Sequence, residues 1–178
     1  MFMWGESKME KKVITSKKIV YYPQEKDNWC IYACMQMLLE FSNIYNIKQS
    51  CLYNIHFSKG EHHNNKTFID NLNPYIGDKI EYVNDIGLKE DRIKNIINID
   101  APVCVNLYLV PPKSENESSN PHALIFYGYD DFRQVFFVID PQPQNGRGNY
   151  YEMTYLEYKE KDKNRLPGFG KEIFFINK

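Results

Sequence analysis

PQEKDNWCIYACMQMLLEF, residues 23–41, is the stretch that decides the fold. After Cys30 the apolar residues recur at steps of three and four, as on one face of a helix, at Ala33, Cys34, Met37, Leu38 and Phe41. The spacing predicts a helix over about 29–42, with Asp27 and Asn28 as N-cap candidates. A cysteine in the first helical turn lies near unpaired N–H groups and the positive end of the helix dipole, which favour a thiolate. Because the thiolate is the nucleophilic form, we interpret Cys30 as a nucleophile.

Length and composition set the class of protein. The chain has 178 residues, of which 43% are hydrophobic and 15% aromatic, and this suits one globular domain with a full core. We predict a loose leader over residues 1–16 and a single domain over residues 17–178. The net charge of −1 gives no basis for binding nucleic acid. No apolar run approaches the roughly 20 residues that span a bilayer, so we expect no membrane span.

The N-terminus and the cysteines bear on cellular location. The first twelve residues become charged after a few apolar positions, so they do not form a secretory signal peptide. We expect a cytoplasmic protein, or one exported as an effector without a classical signal peptide. The four cysteines include no C-x-x-C pair, which argues against a disulfide framework and a structural zinc site. We therefore expect all four to be reduced.

Short helices dominate the first half of the chain and strands the second. Further helices are predicted over 50–57, 67–72 and 89–97, with turns at 59–60 and 73–74, a β-prone run over 18–22 and a strand over 80–83. Strands are predicted over 101–110, 122–129, 134–140 and 172–176. The polar residues 111–120 predict a mobile loop that borders the cleft. A helix first and an antiparallel sheet afterwards predict an α+β fold.

The strands on either side of residues 130–133 suggest a partner for Cys30. If the loop is centred on Asp131, antiparallel partners have residue numbers that sum to 262, and His122 then lies opposite Asp140. A loop changed by one residue would send one of the two side chains to the other face. A Cys–His pair needs one imidazole nitrogen held by an acceptor so that the other faces the thiol. The pairing therefore predicts a histidine oriented by a carboxylate.

Three short motifs, in this order, resemble those of the papain-like cysteine proteases. They are Gln24-x5-Cys30-x2-Ala33, His122 followed by a β-run ending in Gly128-Tyr129, and Asp140-Pro141. The W-C pair at Trp29-Cys30 and the D-P pair resemble most closely two bacterial groups. These are the effector-type (avirulence) proteases and the peptidases that trim bacteriocin leaders. The resemblance spans residues 24–141 and is weak between 43 and 100.

The resemblance implies an architecture and a reaction. A nucleophile-bearing helix would pack on a C-terminal antiparallel sheet, and the protein would be a cysteine endopeptidase that acts through a thioester. Cys30 matches the nucleophile, His122 the base, Asp140 the orienting carboxylate and Gln24 the glutamine of the oxyanion hole. The substrate would be a peptide or protein, and neither a metal nor an organic cofactor is required.

Other readings of the same residues stay open. An acyl transferase or amidase would use the same triad, and a non-catalytic interaction module would need none of it. Cys34 and Cys104 fall on apolar patterns and are predicted to be core residues. Trp29 is either a wall of the cleft or part of the helix packing. The cysteine and histidines between positions 51 and 63 fit no standard metal-ligand spacing; they are Cys51, His56, His62 and His63.

Overall fold

An antiparallel sheet with helices on both faces forms the fold. The computed structural model describes residues 11–44, 46–58, 64–77, 79–85, 90–107, 121–142, 148–163 and 171–177. Its elements in chain order are β1 (Lys12–Ile14), α1 (Cys30–Phe41), α2 (Gln49–His56), α3 (Asn65–Ile76), β2 (Ile80–Asp85), α4 (Glu90–Asn98), β3 (Val103–Leu107), β4 (His122–Asp130), β5 (Val135–Ile139), β6 (Tyr150–Thr154), α5 (Tyr155–Lys163) and β7 (Lys171–Ile176). The sequence prediction of an α+β fold is confirmed.

The strand order across the sheet is β2-β7-β3-β4-β5-β6, and β1 pairs with the far end of β4. Strand β3 pairs with residues 122–126 of β4, whereas β1 pairs with residues 128–130. Strands β3 and β1 therefore lie one after the other along the same edge of β4. Residues 12–14 of the segment predicted as a leader thus form a strand of the sheet. The unpaired end of β4 offers N–H and C=O groups that a passing extended segment can pair. Residues 1–10 lie outside the described part of the chain.

Helix α1 packs on one face of the sheet together with α2 and α3. Its apolar side chains lie in one core with β-strand residues such as Cys104, Ile125 and Phe174. Nearly every residue of α1 is buried, because the sheet covers one side of the helix and α2 and α3 cover much of the rest. The nucleophile candidate therefore stands at the start of a helix that is fixed on most sides.

The opposite face of the sheet has its own core under α4 and α5. Ile93, Ile96 and Ile97 of α4 and Tyr155 and Tyr158 of α5 pack there against the alternate side chains of the strands. The central strands read as continuous apolar runs because both of their faces are covered. Within the described residues, no helix is both long and apolar enough to cross a bilayer.

The predicted helices and central strands form, with several differences. Helix α3 continues through Pro74 to Ile76, so the turn predicted at 73–74 is wrong. The Asn73 side chain then makes two 2.9 Å hydrogen bonds with the backbone of Ile80 and so holds the start of β2. Residues 18–22 are not a strand, and β6 and α5 form where no element was predicted. The predicted loop at 111–120 and the turn at 59–60 lie outside the described residues.

Candidate active site

A sharp turn places Cys30 at the first position of α1. Asn28 adopts a left-handed conformation with φ of 63°, which asparagine tolerates better than most residues. The N-cap is Trp29, without a side-chain cap hydrogen bond, so the predicted capping by Asp27 or Asn28 is wrong. The carbonyl oxygen of Trp29 accepts hydrogen bonds from the backbone amides of Tyr32 and Ala33, at 3.0 and 3.1 Å. Within the described residues, the amides of Cys30 and Ile31 donate to no acceptor.

Trp29 serves helix packing. Its ring stacks on Tyr53 of α2, with centroids 5.1 Å apart, and meets the ring of Tyr32 edge to face. The ammonium of Lys26 lies 4.6 Å from the Trp29 centroid on another side. Trp29 does not line the cavity at Cys30. Of the two readings that the sequence left open, packing is the one the structure supports.

The hairpin brings His122 and Asp140 together in a register different from the predicted one. The turn is centred between Phe132 and Arg133, and paired residue numbers sum to 265 near the turn and to 264 beyond an irregularity at Tyr127. The predicted sum of 262 is wrong because the turn is centred later than Asp131; the extra residue at Tyr127 then reduces the sum from 265 to 264. If the register is continued past the last pair, the residue opposite Asp140 is two positions away from His122. The two side chains still meet.

A carboxylate, an imidazole and a thiol follow one another at the start of α1. Nε2 of His122 lies 2.6 Å from Oδ1 of Asp140, and only 8% of His122 and 3% of Asp140 are exposed. Burial lowers the pKa of His122, but the hydrogen bonds to Asp140 and Cys30 and the charges of both groups together raise it to about 9. The backbone amide of Ala123 donates to the Cys30 sulphur at 3.4 Å. An imidazole held in this way is protonated at neutral pH.

The Gln24 segment is tied to the same place by backbone hydrogen bonds. The carbonyl oxygen of Pro141, next to Asp140, accepts from the Gln24 amide at 3.0 Å. The buried side chain of Gln49 brackets Gln24: it donates to the carbonyl of Pro23 and accepts from the amide of Glu25, at 2.8 and 3.0 Å. Sequence reasoning missed Gln49, since nothing in its neighbourhood marks it as anything but a polar helix residue.

These groups border one cavity of about 470 Å³. Its lining is largely polar and consists of Gln24, Asn28, Cys30, Ile31, Asn65, Asn106, Pro121, His122 and Gln142. The structure thus gathers Gln24, Cys30 and His122 around one space, with Asp140 behind His122. Asn65 and Asn106 were not singled out from the sequence, because they come from the start of a helix and the middle of an apolar strand.

Cys34, Cys51, Cys104 and His56 do not line this cavity. None of the four cysteines forms a disulfide. Cys34 and Cys104 are buried in the core as predicted, and burial, together with a hydrogen bond to Cys104, raises the pKa of the Cys34 thiol. Cys51 is exposed, whereas His56 lies buried between Tyr32 and the carbonyl of Asn64. Among the described residues, no group of three or more metal-ligating side chains is present; His62 and His63 lie outside them.

A second cavity, of about 630 Å³, shares no lining residue with the first. Lys94, which lines this cavity, already has partners for its charge. Its ammonium lies 2.6 Å from Asp131 and 4.1 Å from the centroid of the Tyr155 ring. These contacts satisfy the cation and fasten α4 to the sheet. We therefore treat the first cavity as the candidate active site.

Solved structures share this fold. A C39-like peptidase from Bacillus anthracis has a TM-score of 0.67 at 14% identity, over 95% of this chain and 99% of that one. Xylellain, a cysteine protease from Xylella fastidiosa, has a TM-score of 0.62 at 14% identity, over 93% and 85%. The peptidase domain of Streptococcus ComA, a bifunctional ABC transporter involved in quorum sensing, has a TM-score of 0.58 at 13% identity, over 90% and 100%. These likenesses confirm the predicted papain-like fold.

The sequence itself places the chain in a family. Among curated protein sequences, none matches this chain significantly. The model of the family described as Peptidase_C39 like matches residues 16–166, which include α1, the hairpin strands β4 and β5 and every residue that lines the first cavity. Family and fold together support a cysteine peptidase. The chain belongs to the Peptidase_C39 like family.

Proposed function

We propose that the protein is a cysteine endopeptidase in which Cys30, His122 and Asp140 form the catalytic triad. The observation that carries this proposal is the 2.6 Å hydrogen bond between Asp140 and Nε2 of a buried histidine that lines the same cavity as the thiol at the start of α1. Because Asp140 occupies Nε2, Nδ1 is the ring nitrogen left for Cys30. This order of groups is what nucleophilic catalysis by a thiol requires.

Acylation begins with a thiolate–imidazolium pair. The Cys30 thiol gives its proton to His122, and the thiolate attacks the scissile carbonyl carbon to form a tetrahedral intermediate. The free amide of Cys30 and the side-chain amide of Gln24 are the donors that would hold its oxyanion. One such donor contributes on the order of 3 kcal/mol to the stability of a transition state. Collapse of the intermediate breaks the C–N bond, and the imidazolium protonates the departing amine.

Deacylation uses the same groups in reverse. His122, now neutral, takes a proton from water, and the hydroxide attacks the thioester carbonyl. The C–S bond then breaks, the carboxylic acid leaves, and the proton returns to the sulphur–imidazole pair. Asp140 keeps the ring in one tautomer and stabilises its positive charge throughout. No step draws on a metal or an organic cofactor.

The substrate is a peptide or protein chain, as the family implies. A close relation to the effector-type proteases, inferred from the W-C and D-P motifs, remains a prediction. The expected location, in the cytoplasm or outside the cell by export without a classical signal peptide, also remains one. An acyl transferase would share every step up to the thioester. The two reactions differ only in whether water or an added amine accepts the acyl group.

The experiment that tests the proposal is alkylation of native protein with iodoacetamide, with the modified cysteines mapped by mass spectrometry at pH 6 and pH 7. We expect Cys30 to react at least tenfold faster than the exposed Cys51 at pH 6, where a free thiol with a pKa of about 8.5 is almost fully protonated. His122→Ala should remove most of that advantage. Cys51 is the matched internal control, because it meets the same reagent at the same pH in the same sample as Cys30.

Two results would count against the proposal. One is equal labelling of Cys30 and Cys51 in the wild type, and the other is a His122→Ala variant that labels as fast as the wild type. If Cys30 is selectively reactive, a peptide library then identifies cleaved bonds. Products in which a supplied amine replaces water would assign acyl transfer in place of hydrolysis.

A further inference from the structure

A partly buried network of one carboxylate and two amides lies beside Cys30 and His122. Glu172, on β7, accepts hydrogen bonds at Oε2 from Nδ2 of Asn65 and from Nδ2 of Asn106, the latter at 3.0 Å. Its other oxygen accepts from the hydroxyl of Tyr82 at 2.9 Å. Asn65 and Asn106 both line the cavity that holds Cys30 and His122. The network thus joins α3, β2, β3 and β7 at the wall of the cleft.

The chemistry of Glu172 fixes the orientation of both amides. An ionised carboxylate can only accept hydrogen bonds, so each asparagine must turn its NH₂ group toward Glu172 and its Oδ1 away. Among the described residues, no donor reaches Oδ1 of Asn65 or of Asn106. Neither Oδ1 is among the buried polar atoms that lack a partner in the described part of the chain. The cleft wall therefore presents two oriented acceptors for which the described residues supply no donor.

The same wall is negatively charged. Within the described part of the chain, Glu172 takes part in no ion pair. The described residues that line the cavity include no lysine, arginine, aspartate or glutamate, and a thiolate paired with the His122 imidazolium adds no net charge. A partly buried carboxylate without a counter-ion raises the local concentration of cations in a cleft. A ligand cation that bonds both Oδ1 atoms would supply the missing charge.

We propose that Glu172, acting through Asn65 and Asn106, makes the cleft select peptides with a lysine or arginine side chain close to the scissile bond. Glu172 is a positioning residue: it orients the two acceptors and supplies the field, while the asparagines make the contacts. Hydrogen bonds to a charged donor are stronger than those to a neutral one, so we expect a preference of about tenfold or more over an uncharged side chain of equal length. This inference rests on the proposed function, because it assigns substrate to the same cleft.

The test is peptide binding to the full-length Cys30→Ala variant, which cannot turn substrate over. Capped peptide mixtures that place lysine, arginine or norleucine at each position in turn are passed over immobilised protein, and the retained peptides are quantified by mass spectrometry. We expect lysine and arginine to be enriched about tenfold over norleucine at one position. Adding Glu172→Gln should abolish the enrichment. Adding Glu152→Gln, which removes the same charge from the exposed pair with Arg133, should leave it intact.

The outcomes separate this inference from the proposed function. Lack of enrichment at every position, or enrichment that survives Glu172→Gln, overturns the inference. If Glu172→Gln does not fold, as judged by circular dichroism, Asn65→Ala takes its place, since it removes one acceptor at the start of α3 without altering the sheet; unchanged enrichment there overturns the inference as well. Binding needs no nucleophile, so basic-peptide enrichment without cleavage by the wild type would reject only the peptidase assignment. Cleavage without such enrichment would reject only the inference.

Discussion

Replacing Asp140 with asparagine tests the electrostatic basis of the site. Asparagine keeps the size of aspartate and can still offer Oδ1 to Nε2–H of His122, but it has no charge. In the wild type the pKa of His122 is raised to about 9. Its difference from the ordinary value of 6.5 corresponds to about 3 kcal/mol in favour of the imidazolium. Burial works against that charge, so the hydrogen bonds and charges of Asp140 and Cys30 must supply more than this net amount.

The pKa of His122 can be read directly by NMR from the chemical shift of its ring protons between pH 5 and pH 10. The spectrum of His122→Ala assigns its signal among the four histidines. Loss of a nearby negative charge shifts a pKa by about 1–3, so we expect the midpoint to fall from about 9 in the wild type to between about 6 and 8 in Asp140→Asn. At pH 8 half or less of His122 would then be protonated, and the reaction of Cys30 with iodoacetamide below the pKa of a free thiol would slow accordingly.

Asp130→Asn is the matched control. Asp130 is also buried, in the same strand as His122, but its carboxylate accepts from the backbone amide of Arg133 at the other end of the hairpin. The His122 midpoint should be the same in this variant as in the wild type. A wild-type midpoint at or below 6.5, or equal midpoints in Asp140→Asn and the wild type, would refute the reasoning.

Three further predictions follow from single contacts. Gly128→Ala should lower the free energy of unfolding by about 1–3 kcal/mol in urea titrations, because a Cβ would lie 2.7 Å from the carbonyl oxygen of Val13; an unchanged midpoint would mean that β1 does not pack there. The kcat/KM for peptide hydrolysis should fall as pH rises through about 9, where His122 loses the proton that the leaving amine needs; a constant rate to pH 10 would contradict this role. Iodoacetamide should modify Cys51 in native protein but Cys34 only in urea, because burial raises the pKa of the Cys34 thiol; native labelling of both at one rate would contradict the buried position.

The part of the site that sequence alone predicts is the part with strong local signals. The apolar period after Cys30 is that of a helix, and the helix forms with its first residue at that cysteine. The contact between His122 and Asp140 was also predicted, although from the wrong register. One irregularity and a later turn move the pairing, and side chains two positions apart on one face can still touch. Local patterns therefore indicate which groups meet better than they indicate the exact geometry.

The features that sequence analysis missed depend on distant partners. Strand β1 exists because β4 extends past β3, which three residues of a polar segment cannot reveal. Strand β6 has a single buried residue, Met153, and α5 buries few side chains, so neither shows a clear period. The side-chain amides of Asn65 and Asn106 are oriented by hydrogen bonds to Glu172, a residue from another part of the chain. Polar networks of this kind become visible only when the tertiary structure brings their members together.

The position of β7 in the sheet sets the order in which the protein can be assembled on the ribosome. The strand is the last in the described chain, yet it lies between β2 and β3 and pairs with both. Such non-local pairing delays folding until both partners have been synthesised. A nascent chain that ends before residue 171 can form α1 with Cys30, but β2 has no neighbour and the cleft wall lacks Glu172. Translation of β7 is thus the step that attaches β2 to the rest of the sheet and adds Glu172 to the cleft wall.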